Sequence, residues 1–528
     1  MIHITEKHVP LAGGSAIADF GRDAYSQLEI ELRLREPAEL EFVVGEVRNN
    51  DGSVNRAPGG WRIVRVMKRA CPAGESCFDF ELPPHRSPYS CTKSVPLPPE
   101  AGGKPVAPFR YVEIVGGSGE ALLRRKEFFG DFDDTAADFV SDCAELDRIW
   151  DFCKYTMKAT GAFGIYIDGE RERQPYEGDA LSNQLGDLCC GGSAAAARRT
   201  IDWLLRNPTW FTEWRLVMPL MVRDYLLYTG DRPSVAAWLE ALAKQVAYFV
   251  PAAAGLWHQG PERKAAPGEV PPIRDLIDWP IGERDGYEYG EVNLVPNCYL
   301  YAALGAMAEL TGDAAHRERA ERLRQAVCRA FRRADRFTDS PGSSHTALHS
   351  ALYPAYFGLA ELTDAMKEAI LAKGMACSVY TAQFLLEFCF DHGLTDHAFD
   401  LLLSHDLRSY HNMLEKGATI AMEAWDDTLK PNQDWNHAWG AAPANVIPRC
   451  IAGIRPLEPG FRKFAVTPHP GPLREFRAKH PTPAGPVELE YRRGRCQLTV
   501  PEGATAVTKA GEFAAGRHEF KLDLSAKK

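Results

Sequence analysis

Alternation between apolar and polar positions dominates the first 137 residues of the chain. "QLEIELRL", "LEFVVGEV", "GWRIVRVM" and "RYVEIVG" carry β-branched and aromatic residues with a partial period of two, separated by turn formers such as "NNDGS" and "APGG". This pattern predicts short strands joined by turns, hence a β-sandwich over residues 1–137. Within it, the Pro-rich "LPPHRSPYSCTKSVPLPPEAGGKP" is expected to be an extended surface connection.

From residue 138 the period changes. "AELDRIWDFCKYTMKAT", "AAAARRTIDWLLRN", "RLVMPLMVRDYLLYTG", "SVAAWLEALAKQVAYFV", "CYLYAALGAMAELTG" and "AHRERAERLRQAVCRAF" place apolar residues three and four apart, and five further segments do the same. Many end in Gly, Gly-Asp or Asn-Pro, which stop helices. About a dozen helices over residues 138–453 suit a toroid of paired helices. Alternation returns in "RKFAVTPHP", "VELEYRR", "CQLTV" and "HEFKLDL", predicting a second, smaller β domain over 454–528.

The 528 residues exceed what one hydrophobic core organises, in keeping with three domains. A net charge of −10 with no Lys/Arg block argues against nucleic acid. No apolar run reaches the length of a membrane span. The start, "MIHITEKHVPLAGG", lacks the features of a signal peptide, so a cytoplasmic protein is expected, a trimmed secreted form being the alternative. Thirteen scattered cysteines without a CxxC pair read as reduced thiols rather than a disulfide framework or zinc site.

Four connections in the helical zone are unusually rich in acids and aromatics: 168–179, 209–215, 275–291 and 422–440. They hold Trp210, Trp214, Trp279, Tyr287, Trp425, Trp435 and Trp439. Aromatic platforms beside carboxylates and amides suit a sugar, whose apolar face lies on a ring while fixed acceptors take its hydroxyls. Glycoside hydrolysis adds two carboxyl groups, one to protonate the leaving oxygen and one opposite it. Inversion sets them about 6.5–9.5 Å apart to admit a water. His345 and His349 are four apart, and on a helix they would share a face. With no third ligand nearby and no HExxH, no metal is expected. "RRKEFFGDFDD" (124–134) reads as a solvated linker, and Glu283, Asp285 and Glu288 as either sugar ligands or solvated acids.

The ordered series "FRYVEI", "CAELDRIWDFCKYT", "DGERERQPYEGDA", "YTGD", "DWP", "GATIAMEAWD" and "NHAWGAAPANVIPRCIAGIRPLEPGFRKFAVTPHPG" resembles the α-L-rhamnosidases of glycoside hydrolase family 78 over roughly residues 15 to 500. The resemblance implies an (α/α)6 barrel flanked by N- and C-terminal β-sandwich domains. It also implies an inverting, exo-acting hydrolase of L-rhamnosides that needs no cofactor, and it leaves a homodimer open.

Reading back from Gly178-Asp179, the resemblance places Glu172 as general acid, Tyr176 at an aromatic position and Arg173 just after the acid. Asp168 and Asp179 fall on aspartates that bind sugar hydroxyls. Glu423 becomes the general base, followed by Trp425, and His437 falls on a histidine that contacts the sugar. Trp214 and Trp279 are expected as walls, with Asp278 in a "DW" pair near the sugar. The run from Asp168 to Glu172 is about two residues shorter than the family pattern. Glu170 and Arg171 therefore compete for the family's basic position, and Glu170 is a rival general acid.

Overall fold

The computed structural model describes residues 1–89, 91–249, 255–258 and 272–522. The last two residues of the predicted strand "HEFKLDL", Val250 at the end of a predicted helix and the Lys-tipped tail lie outside that range.

The N-terminal domain is built on one long strand. Strands β1 (Ile2–Ala12), β2 (Ser15–Leu34), β3 (Ala38–Gly45), β4 (Val64–Cys71), β5 (Gly74–Asp79), β6 (Ala107–Val115) and β7 (Ser118–Phe128) form a sheet of order β1-β7-β2-β6-β3-β4, with β5 also on β2. β2 changes register between Asp19 and Ala24. Its first half pairs with β6, and its second half with β7 and β5. One strand thus serves both layers, and Leu28, Ile30, Phe42, Phe109 and Leu123 meet in a shared core. The predicted linker at 124–134 begins inside β7. Arg125 there is buried and paired with Glu127 at 2.5 Å, because its strand position points it into the protein.

The helices follow as α1 (Ala144–Thr160), α2 (Glu177–Cys190), α3 (Ala194–Arg206), α4 (Thr212–Leu216), α5 (Met218–Thr229), α6 (Arg232–Tyr248), α7 (Leu294–Thr311) and α8 (Ala314–Phe331). After a short hairpin of β9 (Arg332–Arg333) and β10 (Arg336–Phe337) come α9 (Leu348–Tyr356), α10 (Asp364–Lys373), α11 (Val379–Asp391), α12 (Thr395–Leu402), α13 (Tyr410–Glu415) and α14 (Pro443–Val446). α2 packs on α5, α5 on α7, α7 on α9, α9 on α11, and α11 and α2 on α14, which closes an inner ring. α3, α6, α8, α10 and α12 back onto their neighbours from outside, and α1 packs on α14.

Local sequence explains the difference between the two rings. α2 is buried along its whole length, whereas α8 buries only one face of its charged sequence. Asp231, Asp313, Thr363 and Ser378 cap the helices they precede, and left-handed Gly191, Gly230 and Gly312 stop helices at the predicted glycines. No helix among the described residues is long and apolar enough to cross a membrane.

The C-terminal domain pairs two sheets. Strands β11 (Ile454–Pro456), β12 (Lys463–Val466), β16 (Thr505–Thr508) and β17 (Gly511–Phe513) form one, in that order. β18 (Gly516–Lys521), β15 (Arg495–Val500), β14 (Val487–Arg492) and β13 (Glu475–His480) form the other, and its far edge is β8 (Asp138–Ser141). Residues 138–141, expected to open the helical domain, therefore complete the C-terminal sheet. Phe139 reaches its core and stacks on Phe476 at 5.7 Å.

Candidate active site

The loops between inner helices surround a cavity of about 400 Å³ at one end of the ring. Its lining draws on all four flagged connections: Asp168, Arg171, Glu172, Tyr176 and Asp179; Trp210, Phe211 and Trp214; Trp279; and Glu423, Lys430, His437 and Trp439.

Arg171 organises the centre. Its Nη1 and Nη2 donate to the two oxygens of Glu423 at 2.5 and 2.7 Å, while Nε and Nη2 each lie 3.3 Å from Glu172 Oε1. Lys430 Nζ is a second cation on Glu423, at 3.2 Å. Burial alone would raise the Glu423 carboxyl, but the Arg171 charge and hydrogen bonds outweigh it and hold the group below the ordinary carboxylate range. Glu172 goes the other way. Burial raises it, the neighbouring Glu423 charge adds to this, and Arg171 and the Tyr176 hydroxyl only partly offset the shift. Tyr176 donates its hydroxyl to Glu172 Oε2. Two carboxyl groups in one cavity are thus biased toward opposite protonation states.

A second charged chain lies below. His437 bonds Asp179 through Nε2 at 2.8 Å and Asp434 through Nδ1 at 3.0 Å. Burial opposes its charge, but the two carboxylates prevail and keep the imidazolium well above the ordinary histidine range. Asp434 is correspondingly lowered to about 2: burial raises it, and His437, Arg171 and the Arg171 backbone N–H more than reverse that. Ligand atoms of Glu423, Asp434 and His437 come within 4.8 Å of one another, the spacing of a cation site. Arg171 and Lys430 already pair with Glu423, and both ring nitrogens of His437 are engaged by Asp179 and Asp434.

Asp168 accepts the Gln174 N–H through Oδ1 at 2.9 Å, while its buried Oδ2 has no hydrogen-bond partner. An unpaired buried acceptor facing a cavity suits a ligand hydroxyl. Trp214 packs edge-on against Tyr176, Phe211 and Trp439 at 5.6, 4.7 and 6.1 Å. Trp439 also donates its indole N–H to the Glu423 carbonyl at 2.9 Å.

Four candidates stand outside the lining. Glu170 pairs with Arg173 at 2.7 and 2.9 Å, and Arg173 also donates to the Val106 carbonyl at 2.5 Å. Both therefore lie under the loop, facing the N-terminal domain. Arg171, not Glu170, reaches the two cavity glutamates. Asp278 is a helix anchor: it accepts from Ser378 N at 3.0 Å and Ser378 Oγ at 2.5 Å, and bonds His349 Nε2 at 2.7 Å. It fixes α9 and α11 and so positions its neighbour Trp279. Trp425 is fully buried, donating to the Cys377 carbonyl at 2.8 Å with its ring edge-on to Tyr410. His345 precedes α9 and bonds Asp339 at 2.6 Å, so the two histidines do not share a helical face. Glu283 pairs with Arg408, Asp285 with Lys373, and Glu288 accepts from Ser343.

Residue patterns did not single out Lys430, Asn432, Asp434 or Arg274, and Tyr89, Cys91 and Thr92 come from the supposed surface connection. Lys430 left one trace, a lone cation in an acidic, aromatic loop.

Comparison with known proteins agrees with this architecture. A sequence model of the bacterial α-L-rhamnosidase six-hairpin glycosidase domain matches residues 134–451, and one of the bacterial α-L-rhamnosidase C-terminal domain matches 453–509. The chain belongs to the bacterial α-L-rhamnosidase family of six-hairpin glycosidases. An α-L-rhamnosidase of Streptomyces avermitilis is 31% identical over 135 residues, 23% of this chain and 13% of that protein. The native α-L-rhamnosidase of Aspergillus terreus shares the fold with a TM-score of 0.75 at 16% identity, over 99% of this chain and 64% of that one. The Streptomyces avermitilis α-L-rhamnosidase complexed with L-rhamnose gives 0.72 at 16%, over 99% and 54%. This rhamnosidase-family chain thus spans between half and two thirds of those two solved structures and a small part of the curated relative.

Proposed function

We propose that the protein is an exo-acting, inverting α-L-rhamnosidase with Glu172 as general acid and Glu423 as general base. The observation that carries this reading is the pair of cavity glutamates that share the Arg171 guanidinium and are biased in opposite directions. A protonated Glu172 delivers its proton to the glycosidic oxygen as the bond to the anomeric carbon breaks. Glu423, kept ionised, takes a proton from a water that attacks that carbon from the opposite face. The products are free rhamnose of inverted configuration and the aglycone alcohol. The free Oδ2 of Asp168 and the imidazolium-held Asp179 accept ring hydroxyls, and bonds that strengthen toward the oxocarbenium-like transition state contribute to rate. The Trp rings supply apolar walls suited to the 6-methyl group.

The test is turnover of a panel of aryl glycosides, α-L-rhamnoside included, by wild type, Glu172→Gln and Glu423→Gln, with the first-formed anomer read by proton NMR. Hydrolysis of the rhamnoside with initial β-L-rhamnose is expected. Preference for another sugar, an α anomer first, or full activity in either variant overturns the assignment.

A further inference from the structure

Residues 82–89 and 91–105 lie between β5 and β6, and they cross the catalytic domain. Four hydrogen bonds fasten this strap to the loop that carries Glu172. His85 Nε2 bonds the Glu170 carbonyl at 2.9 Å, and Lys93 N donates to Gln174 Oε1 at 2.5 Å. Ser94 Oγ donates to the Glu172 carbonyl at 2.7 Å, and Val95 N to the Arg173 carbonyl at 2.8 Å. Between these anchors Thr92 Oγ1 donates to the Tyr89 carbonyl at 2.8 Å, and Tyr89, Cys91 and Thr92 join the cavity lining.

We propose that this strap forms the wall of the leaving-group subsite, with Tyr89 as the ring on which a flat aglycone lies. The proposal rests on the rhamnosidase reading and adds that the N-terminal domain sets aglycone preference. Position supports it. A general acid must reach the glycosidic oxygen, so the aglycone lies on the side of the cavity where Glu172 stands. The strap is bonded to the Glu172 backbone itself. Trp210 is on the same side, packed edge-on at 5.8 Å against Tyr176, the donor to Glu172. Trp279 is instead near Lys430, the cation on Glu423, at 5.6 Å.

Exposure points the same way. Tyr89 is 43% exposed, and no aromatic contact covers its ring among the described residues. An uncovered ring at a cavity mouth suits a flat, weakly polar face, supplied either by a phenolic ring or by the next pyranose.

The experiment compares kcat/KM for methyl α-L-rhamnoside, an aryl α-L-rhamnoside and a rhamnosyl-glucoside disaccharide in wild type, Tyr89→Ala and Tyr89→Phe. Tyr89→Ala is expected to lose about tenfold more on a ring-bearing substrate than on the methyl glycoside, chiefly through KM, the size of one ring–ring contact. Tyr89→Phe restores the ratio. A loss confined to the aryl arm or to the disaccharide arm identifies the aglycone. Equal proportional losses on all three substrates overturn the strap assignment while leaving the rhamnosidase reading intact. A wild type that turns over none of the three overturns the proposed function itself.

Discussion

Arg171 grips Glu423 with two nitrogens, at 2.5 and 2.7 Å, and both side chains are buried. A buried two-point guanidinium–carboxylate pair keeps the carboxylate ionised far more firmly than an exposed pair would. The same guanidinium touches Glu172, where it partly offsets the upward shift that burial and the Glu423 charge impose.

The pair makes a pH prediction for Arg171→Gln. A general base works only when deprotonated, so activity is lost as pH falls through its pKa. With Arg171 gone and only Lys430 and the His437 imidazolium left near it, the Glu423 pKa rises. The acidic limb of the kcat/KM profile should therefore move up by about 1–3 pH units, and kcat should fall. An unmoved acidic limb would separate Arg171 from the base.

Glu170 and Glu172 should exchange phenotypes. Glu172→Gln is expected to lower kcat by about 10²–10⁴, more on substrates with poor leaving groups than on activated aryl glycosides. Glu170→Gln leaves Arg173 buried without its carboxylate, so it should cost about 3–5 kcal/mol of stability while retaining much of the activity of the folded fraction. Paired kinetics and thermal melts check this, and the reverse pattern would make Glu170 the acid.

Gly178 faces the indole of Trp214 so closely that an added Cβ would stand 2.4 Å from Nε1 and 2.6 Å from Cε2. Trp214 is wedged among Tyr176, Phe211 and Trp439, and can yield only toward the cavity. Gly178→Ala should raise KM for the rhamnoside and destabilise the fold by about 1–3 kcal/mol. Wild-type KM and melting temperature in that variant would contradict the packing.

Asp23 sits in the seam between the N-terminal and helical domains, its backbone bonded to Thr419 and Tyr155. Burial raises its carboxyl to about 7 from an ordinary value of 3.8. The folded state thus keeps a proton that the unfolded chain releases, and this group's contribution to stability falls as pH climbs through that window. Melting temperatures at pH 5 and pH 8 should converge in Asp23→Asn relative to wild type. An equal or wider gap would refute the raised value.

Much of the fold was legible in the residues. The change of period near residue 138 and its reversal near 454 mark three zones, because a strand presents alternate residues and a helix every third or fourth to its core. The motif around Glu172 and that around Glu423 stood out because acids, aromatics and amides rarely crowd into a chain that is about to enter a buried helix. The family resemblance points to Arg173, Asp278 and Trp425, yet none of the three lines the cavity. Neighbours in sequence share a loop without sharing a direction.

What local pattern determined was periodicity, capping and the residues able to do acid–base chemistry. Tertiary structure alone decided which of them meet. Arg171 and Glu423 are 252 positions apart, and only closure of the helical ring sets a guanidinium against that carboxylate and biases two like side chains to opposite protonation. It also laid a Pro-rich strap from the first domain across the cavity and gave β8 to the last sheet. Such contacts depend on long-range packing, which no local periodicity encodes.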